Sequence, residues 1–182
     1  KEKLIIFSGK LNKSKGFPTF GEAIIKILDK YKDWSSVVIG DEPREKYNFK
    51  HKKLKYLGWI PYEKVLKYFS KSSITVVPSN WAEPFGRTSL EAGSRGNAVI
   101  ISNRGGLPET INSPVILKEV NSKCIYDQIA SLVEDKKLIN RLQIDSFRNP
   151  LHLISENCEI IDRDRKNIIY PIKKFNINKN AK

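Results

Sequence analysis

Glu83 and Glu91 stand eight positions apart in the run Glu83-Pro84-Phe85-Gly86-Arg87-Thr88-Ser89-Leu90-Glu91-Ala92. The segment before them, Ile74-Thr75-Val76-Val77-Pro78-Ser79, reads as a buried strand and its exit. A helix opening near Gly86 therefore starts at the carboxyl end of a sheet, where ligands of open α/β sheets collect. Glu83 is then in the loop at the mouth of the crevice and Glu91 on the second helical turn. Gly86 lets a ligand approach the helix start, where Phe85, Arg87 and Thr88 contribute mainly through backbone N–H groups. Two carboxylates beside an anion-binding helix end suit a ligand that carries phosphates and hydroxyls together, such as a nucleotide-sugar.

In this context the chain resembles glycosyltransferase family 4, retaining enzymes of the GT-B architecture that carry a Glu, seven residues and a second Glu. Ser8-Gly9-Lys10-Leu11-Asn12, followed by Lys15-Gly16-Phe17, is similar to the family's phosphate-binding loop. Val38-Ile39-Gly40-Asp41, Leu57-Gly58-Trp59-Ile60 and Gly105-Gly106-Leu107-Pro108-Glu109 resemble its later landmarks. The five motifs come in the family's order, and the order is what makes the resemblance specific.

The resemblance implies a role for each residue. One ionised carboxylate can accept a hydrogen bond from each of two vicinal ribose hydroxyls, and this role falls to Glu91. A competing reading pairs Glu91 with Arg87 or Arg95, both at helical i±4 spacing. Glu83 faces the donor sugar's hydroxyls beside the reacting carbon; the plainer alternative is a carboxylate favoured by the helix dipole. Lys15 and Lys10 stabilise charge on the departing diphosphate, and Gly9 and Gly16 permit the tight backbone between them. The family usually has Arg at the position of Lys10, and Lys keeps the point charge without the planar fork. Arg87 is a substitute donor, or simply a partner of Glu91. Gly105 and Gly106 line the same crevice or form a strand-to-helix turn, and Trp81 shapes the sugar pocket or packs. The base rests near Gly58 to Ile60, read by backbone atoms of Ile60, so uridine, guanosine and adenosine donors are not separated. No acidic DxD-type pair adjoins the phosphate loop and lysines fill the place of a divalent cation, so a metal-independent donor site without further cofactor is expected.

The elements that must position these residues are short. Apolar runs at 4–7, 37–39, 54–57, 74–77, 98–101 and 115–117 predict strands. Helical spacing joins most of them: 18–31 puts Phe20, Ile24, Ile27, Leu28 and Tyr31 on one stripe, and 61–70 does the same with Val65, Leu66 and Phe69. A glutamate helix over 86–94, a helix capped by Asn121 and continuing helical register over 138–147 complete the set. Strands alternating with helices, without two-residue hairpin turns, predict a Rossmann-like parallel sheet of about six strands covered on both faces. By resemblance this is one half of a GT-B fold.

The chain has 182 residues, enough for one substantial core, and the expected division is 1–149 for the nucleotide-sugar domain and 150–182 for a helical tail with a loose end. It contains no methionine and opens directly on a strand, the pattern of a piece of a longer protein. The resemblance places acceptor determinants in a missing amino-terminal half, so the chain alone is expected to bind donor without turnover. The formal net charge of +13 would suit nucleic acid or an anionic surface. Lys outnumbers Arg heavily and Ile and Asn are abundant, as A+T-rich coding produces, which accounts for part of the excess. The remainder fits peripheral contact with anionic lipid at the inner membrane face. Clusters such as Lys50-His51-Lys52-Lys53 and Lys136-Lys137 read as solvated faces. Cys124, expected in a helix core, and Cys158 lack metal or disulfide spacing, and His51 and His152 are isolated. With no membrane-length apolar run and no signal-peptide pattern, a cytoplasmic setting is the default.

The leading functional reading is the donor-binding domain of a retaining transferase that moves a sugar from a nucleoside diphosphate to a glycan or lipid-linked acceptor, in polysaccharide or lipopolysaccharide assembly by family prevalence. A GT-B phosphorylase or nucleotide-sugar epimerase keeps the fold, although no pyridoxal lysine signature is found. A basic nucleic-acid module explains the charge but not the order of the Gly, Lys and Glu motifs.

Overall fold

Six parallel strands form, most of them rich in β-branched residues: β1 (Glu2–Ser8), β2 (Ser35–Ile39), β3 (Leu54–Tyr56), β4 (Ser72–Val77), β5 (Ala98–Ser102) and β6 (Val115–Leu117). The computed structural model describes residues 1–148 together with 162, 163, 165 and 166. Two units divide the chain, Lys1–Leu151 and His152–Lys182. In the second, the four described residues are helical. The expected loose end, Cys158 and His152 lie outside the described residues.

The strand order is β3-β2-β1-β4-β5-β6. The chain moves outward from β1 in one direction and then returns to start again at β4, so β1 and β4 are neighbours whose following loops leave toward opposite faces. That reversal opens a crevice at their carboxyl ends. It joins two stretches far apart in sequence: the loop after β1, which carries Gly9 to Gly16, and the loop after β4, which carries Ser79 to Gly86.

Helices α1 (Phe17–Lys30), α4 (Ser122–Glu134) and α5 (Lys136–Arg148) cover one face of the sheet. Phe17, Phe20, Ile24, Ile27 and Leu28 of α1 meet Ile5, Phe7, Val38 and Ile100 there. Helices α2 (Tyr62–Lys71) and α3 (Arg87–Gly93) cover the other, where Phe69 and Ala92 pack against Leu4, Ile6, Val99 and Ile101. Adjacent strand residues thus feed opposite cores, which is why the strands read as continuous apolar runs rather than alternating ones.

Two boundaries differ from the sequence reading for polar reasons. β4 begins at Ser72, ahead of its apolar run, because the two serine hydroxyls find acceptors at the amino end of the sheet: Ser72 Oγ donates to Asn97 Oδ1 at 2.5 Å and Ser73 Oγ to the Glu2 carbonyl at 2.6 Å. The helix expected over 138–147 starts at Lys136, because Asp135 Oδ1 accepts from the N–H groups of Lys137 and Leu138, both at 2.9 Å. Asn121 does cap α4, its side-chain oxygen accepting from the Cys124 N–H at 2.7 Å. Cys124 itself is half-buried against the core as a free thiol.

Candidate active site at the β1–β4 crevice

The loop after β1 is built around Asn12, a buried amide. Its Oδ1 accepts from Ser14 Oγ at 2.9 Å and from the Lys15 N–H at 3.0 Å, and its carbonyl accepts from Phe17 N–H at 3.1 Å. Its Nδ2 donates to Glu42 Oε2 at 3.3 Å. Short polar contacts of this kind replace a regular ladder and fix where Lys15 leaves the backbone. Gly16 ends the loop in the left-handed region, φ 71°, where an added Cβ would fall 1.9 Å from the Pro78 carbonyl oxygen. A side chain there would force the two crevice loops apart.

The two loops are stitched directly. The Ser14 carbonyl accepts from Asn80 N–H at 2.8 Å, from Trp81 N–H at 3.1 Å and from Ser79 Oγ at 3.2 Å, while Asn80 Nδ2 donates to the Lys13 carbonyl at 2.9 Å. Across this seam Lys15 Nζ meets Glu83 Oε1 at 2.5 Å, with side-chain exposures of 32% and 12%. Ser79 Oγ lies 2.8 Å from the same oxygen. Glu83 is therefore a shielded carboxylate already engaged by a cation and a hydroxyl.

Gly105 and Gly106 line neither of the cavities described below. They press against the Glu83 loop from behind: Gly106 N–H donates to the Glu83 carbonyl at 2.7 Å, and a Cβ on Gly105 would lie 2.2 Å from that oxygen. Gly86, at φ 94°, stands before α3 with no room for a Cβ, 2.5 Å from Leu107 Cδ2. Gly105 and Gly106 hold the carboxylate loop in place by letting backbone meet backbone, and Gly86 by making room for the Leu107 side chain.

A cavity of about 310 Å³ occupies the crevice, its wall including Gly9, Lys15, Ser79, Glu83, Gly86, Arg87 and Thr88. A second, of about 420 Å³, adjoins it through Ser8, Gly9 and Arg87 and reaches Lys10, Asp41, Trp59, Ile60 and Tyr62. Gly9 is the floor they share; its N–H donates to the Ile39 carbonyl at 2.9 Å, and Gly40 packs so close that a Cβ there would sit 2.0 Å from the Gly9 carbonyl oxygen. Lys10 is exposed at the edge of the second cavity. Trp59 and Trp81 are exposed near the mouth, Phe85 less so.

Glu91 lines neither cavity. It stands behind Tyr62 and Arg87, with Tyr62 Oη donating to Oε1 at 3.3 Å and Arg87 Nε at 3.7 Å from the same atom. The i,i+4 partner expected from spacing is thus present, and a tyrosine from a second helix joins it. Burial pushes the Glu91 carboxyl above the usual carboxylate range, opposed by the Arg87 charge and the Tyr62 hydroxyl.

Asn12, Ser79 and Tyr62 are the positions that sequence reading left without a role. Asn12 and Ser79 are ordinary short polar residues whose partners come from the opposite loop, and only the Pro78-Ser79 exit from a buried strand hinted at a tight turn. Glu42, equally unremarked, is held down to about 2 by its fork with Arg44, Nε to Oε1 at 2.7 Å and a terminal nitrogen to Oε2 at 3.0 Å, with Asn12 adding a weaker contact. A carboxyl depressed from 4.5 toward 2 stabilises the loop fully above the unfolded value and loses that contribution as pH falls through the folded one. The protection factors of the amides in residues 12–16, exchange corrected for the fall in its intrinsic rate, are therefore expected to drop as pH falls from 4.5 to 2, and Glu42→Gln to remove that acid dependence. Among the described residues no three His, Cys, Asp or Glu side chains gather as a metal-binding group, and no helix is long and apolar enough to cross a membrane.

A parallel six-stranded sheet covered on both faces, with its crevice where the strand order reverses, defines a Rossmann-like α/β domain. The chain belongs to the family of glycosyl transferases group 1, whose profile matches residues 1–146. An uncharacterized glycosyltransferase of Methanocaldococcus jannaschii is 32% identical over 133 residues, 69% of this chain and 32% of that protein. The C-terminal domain of a glycosyl transferase group 1 family protein, LpcC, from Francisella tularensis has 30% identity and a TM-score of 0.70, over 80% of this chain and 82% of that one. Anabaena HepE in complex with UDP-glucose shares the fold at 16% identity, with a TM-score of 0.73 over 89% of this chain and 48% of that one. The chain spans 28% to 43% of the length of the curated relatives it matches.

Proposed function

We propose that this chain binds the donor of a retaining glycosyltransferase, which moves a sugar from a nucleoside diphosphate-sugar to a glycan or lipid-linked acceptor. The observation that carries the reading is the Lys15–Glu83 pair at the β1–β4 strand reversal, in a crevice that continues past Gly9 toward Ile60 and Tyr62, with Glu91 behind Tyr62. In this reading the diphosphate lies over Gly9 and Gly16 at the seam of the two loops, with Lys15, and more peripherally Lys10 and Arg87, countering the charge that grows on it as the glycosidic bond breaks. The sugar lies against Glu83, whose carboxylate accepts from its hydroxyls. Phe85 and Gly86, just before α3, and Arg87 and Thr88 at its start turn their backbone N–H groups to the phosphates in this reading. The ribose reaches Glu91 and the base lies beside Ile60. The UDP-glucose carried by the HepE neighbour supports this class of donor.

With the diphosphate itself receiving the acceptor proton, the chain's residues bind, orient and neutralise; none is required as a covalent nucleophile. The acceptor would be held by a further domain, and the basic surface would favour anionic lipid beside a lipid-linked acceptor at the inner face of a cytoplasmic membrane. No metal enters this scheme, because Lys15 occupies the position from which a cation would offset the diphosphate.

Calorimetry with UDP, GDP and ADP, their nucleosides and a short oligonucleotide at two salt concentrations tests the reading. The expected result is weak binding of one diphosphate in preference to its nucleoside and to the oligonucleotide. Binding of the oligonucleotide alone, falling steeply with salt, would replace the reading with a nucleic-acid one.

A further inference from the structure

Glu91 alone is an imprecise ribose clamp. Its carboxylate sits on α3, seven residues long, and both Arg87 one turn back and Arg95 one turn on carry charges that could draw it along the helix surface. Tyr62 opposes this from a different element. It occupies the first turn of α2, immediately after Pro61, so its backbone is set by a ring-locked residue and by the Lys64 and Val65 N–H groups that both donate to the Pro61 carbonyl, at 2.9 and 3.2 Å. From there the hydroxyl reaches Glu91 Oε1 at 3.3 Å while the ring lines the cavity between Ile60 and Arg87.

We infer that Tyr62 is a positioning residue for ribose recognition: its hydroxyl pins Oε1 of Glu91 from across the α2–α3 interface, turning Oε2 and the remaining lone pair of Oε1 toward a vicinal diol. This rests on the donor-site reading above. A carboxylate oxygen has two acceptor sites, so the Tyr62 bond does not use up Oε1. Arg87 Nε approaches the same oxygen at 3.7 Å, and both contacts leave Oε2 without a partner among the described residues. The Tyr62 hydroxyl itself is pushed up by burial and by the neighbouring Glu91 charge, with Arg87 and Arg95 opposing, so it remains a donor at neutral pH. Glu91 is shifted upward by burial, and the Tyr62 hydrogen bond is one of the two contacts that favour its ionised, diol-accepting form.

The test compares wild type with Tyr62→Phe, which keeps the ring and removes only the donor. The probes are whichever of UDP, GDP and ADP wild type binds best and its 2′,3′-dideoxy analogue, measured from pH 5 to 8, with thermal unfolding as a folding control. Loss of one hydrogen bond is expected to weaken the ribonucleotide by about fivefold to tenfold at pH 7 and the dideoxy analogue hardly at all. The acid limb of ribonucleotide binding is expected to move to higher pH. In the free protein, the Glu91 carboxyl followed by carbon NMR titrates at higher pH in the variant. Equal weakening of both nucleotides with an unmoved acid limb would overturn the inference and leave the donor site standing. Wild type that binds none of the three diphosphates would overturn the donor-site reading and this inference with it.

Discussion

Glu91→Ala is expected to weaken nucleoside diphosphate binding by about 1.5–3 kcal/mol, the cost of removing hydrogen bonds to a charged acceptor, whereas Glu83→Ala strengthens it. The contrast follows from where each carboxylate stands. Glu91 stands behind Tyr62 and Arg87, which line the end of the crevice assigned to ribose, and after its removal the protein should distinguish poorly between ribose and 2′-deoxyribose. Glu83 stands at the phosphate end and holds Lys15 at 2.5 Å, so a diphosphate arriving there must share the lysine with an anion already in place. Removing Glu83 frees the lysine and deletes a like charge. The expected gain is modest, about 0.5–1 kcal/mol, because the pair is partly solvated. Where this chain acts together with the proposed acceptor-binding domain, the same substitution is expected to depress turnover severely, since the sugar loses its proposed hydroxyl acceptor while ground-state binding of the nucleotide does not suffer. Calorimetry on the two variants decides it. A Glu83→Ala protein that no longer binds diphosphate, beside a Glu91→Ala protein that still does, would reverse both assignments.

Lys15→Ala is expected to cost about 1.5–3 kcal/mol in diphosphate affinity and little in nucleoside affinity, because a charge-assisted contact to phosphate is lost. Part of the loss is indirect. Without Lys15 the Glu83 carboxylate, largely shielded and left with only Ser79 Oγ among its described contacts, faces the incoming anion unneutralised. The double variant Lys15→Ala, Glu83→Ala separates the two effects, since a thermodynamic cycle isolates the coupling between neighbours. Affinity is expected to recover partway in the double variant. Equal losses for nucleoside and diphosphate in Lys15→Ala would mean that this lysine does not touch phosphate.

The order of elements was legible because the central strands β1, β2, β4 and β5 are apolar runs rich in β-branched residues, and the long helices have one apolar stripe. The strand order, and with it the place of the reversal between β1 and β4, was not legible, because the same alternation suits other doubly wound orders. Spacing along the chain placed Glu91 within a turn of Arg87 and put Glu83 in a loop at the crevice. Partnerships across the fold were not legible. Ser14 and Ser79 meet only when the loops after β1 and β4 close on each other, and serine carries no pattern that announces a partner 65 positions away. Tyr62 reads as the start of an amphipathic helix, and its hydroxyl finds Glu91 only because α2 and α3 pack on the same face of the sheet. The glycine pair 105–106 looked equally suited to a crevice wall and to a turn; its place behind Glu83 is set by how closely two backbones approach, which side-chain types do not record.

Hydrogen exchange of the protein with and without UDP, GDP and ADP tests the donor site most directly. With the diphosphate that binds, slowed exchange is expected in the loop after β1 (residues 9–16), in residues 79–88 and in residues 58–62, and none in the cavity at the amino ends of the strands that Lys1, Lys3 and Trp34 line. Protection confined to that opposite cavity, with the Lys15–Glu83 seam unchanged, would contradict it.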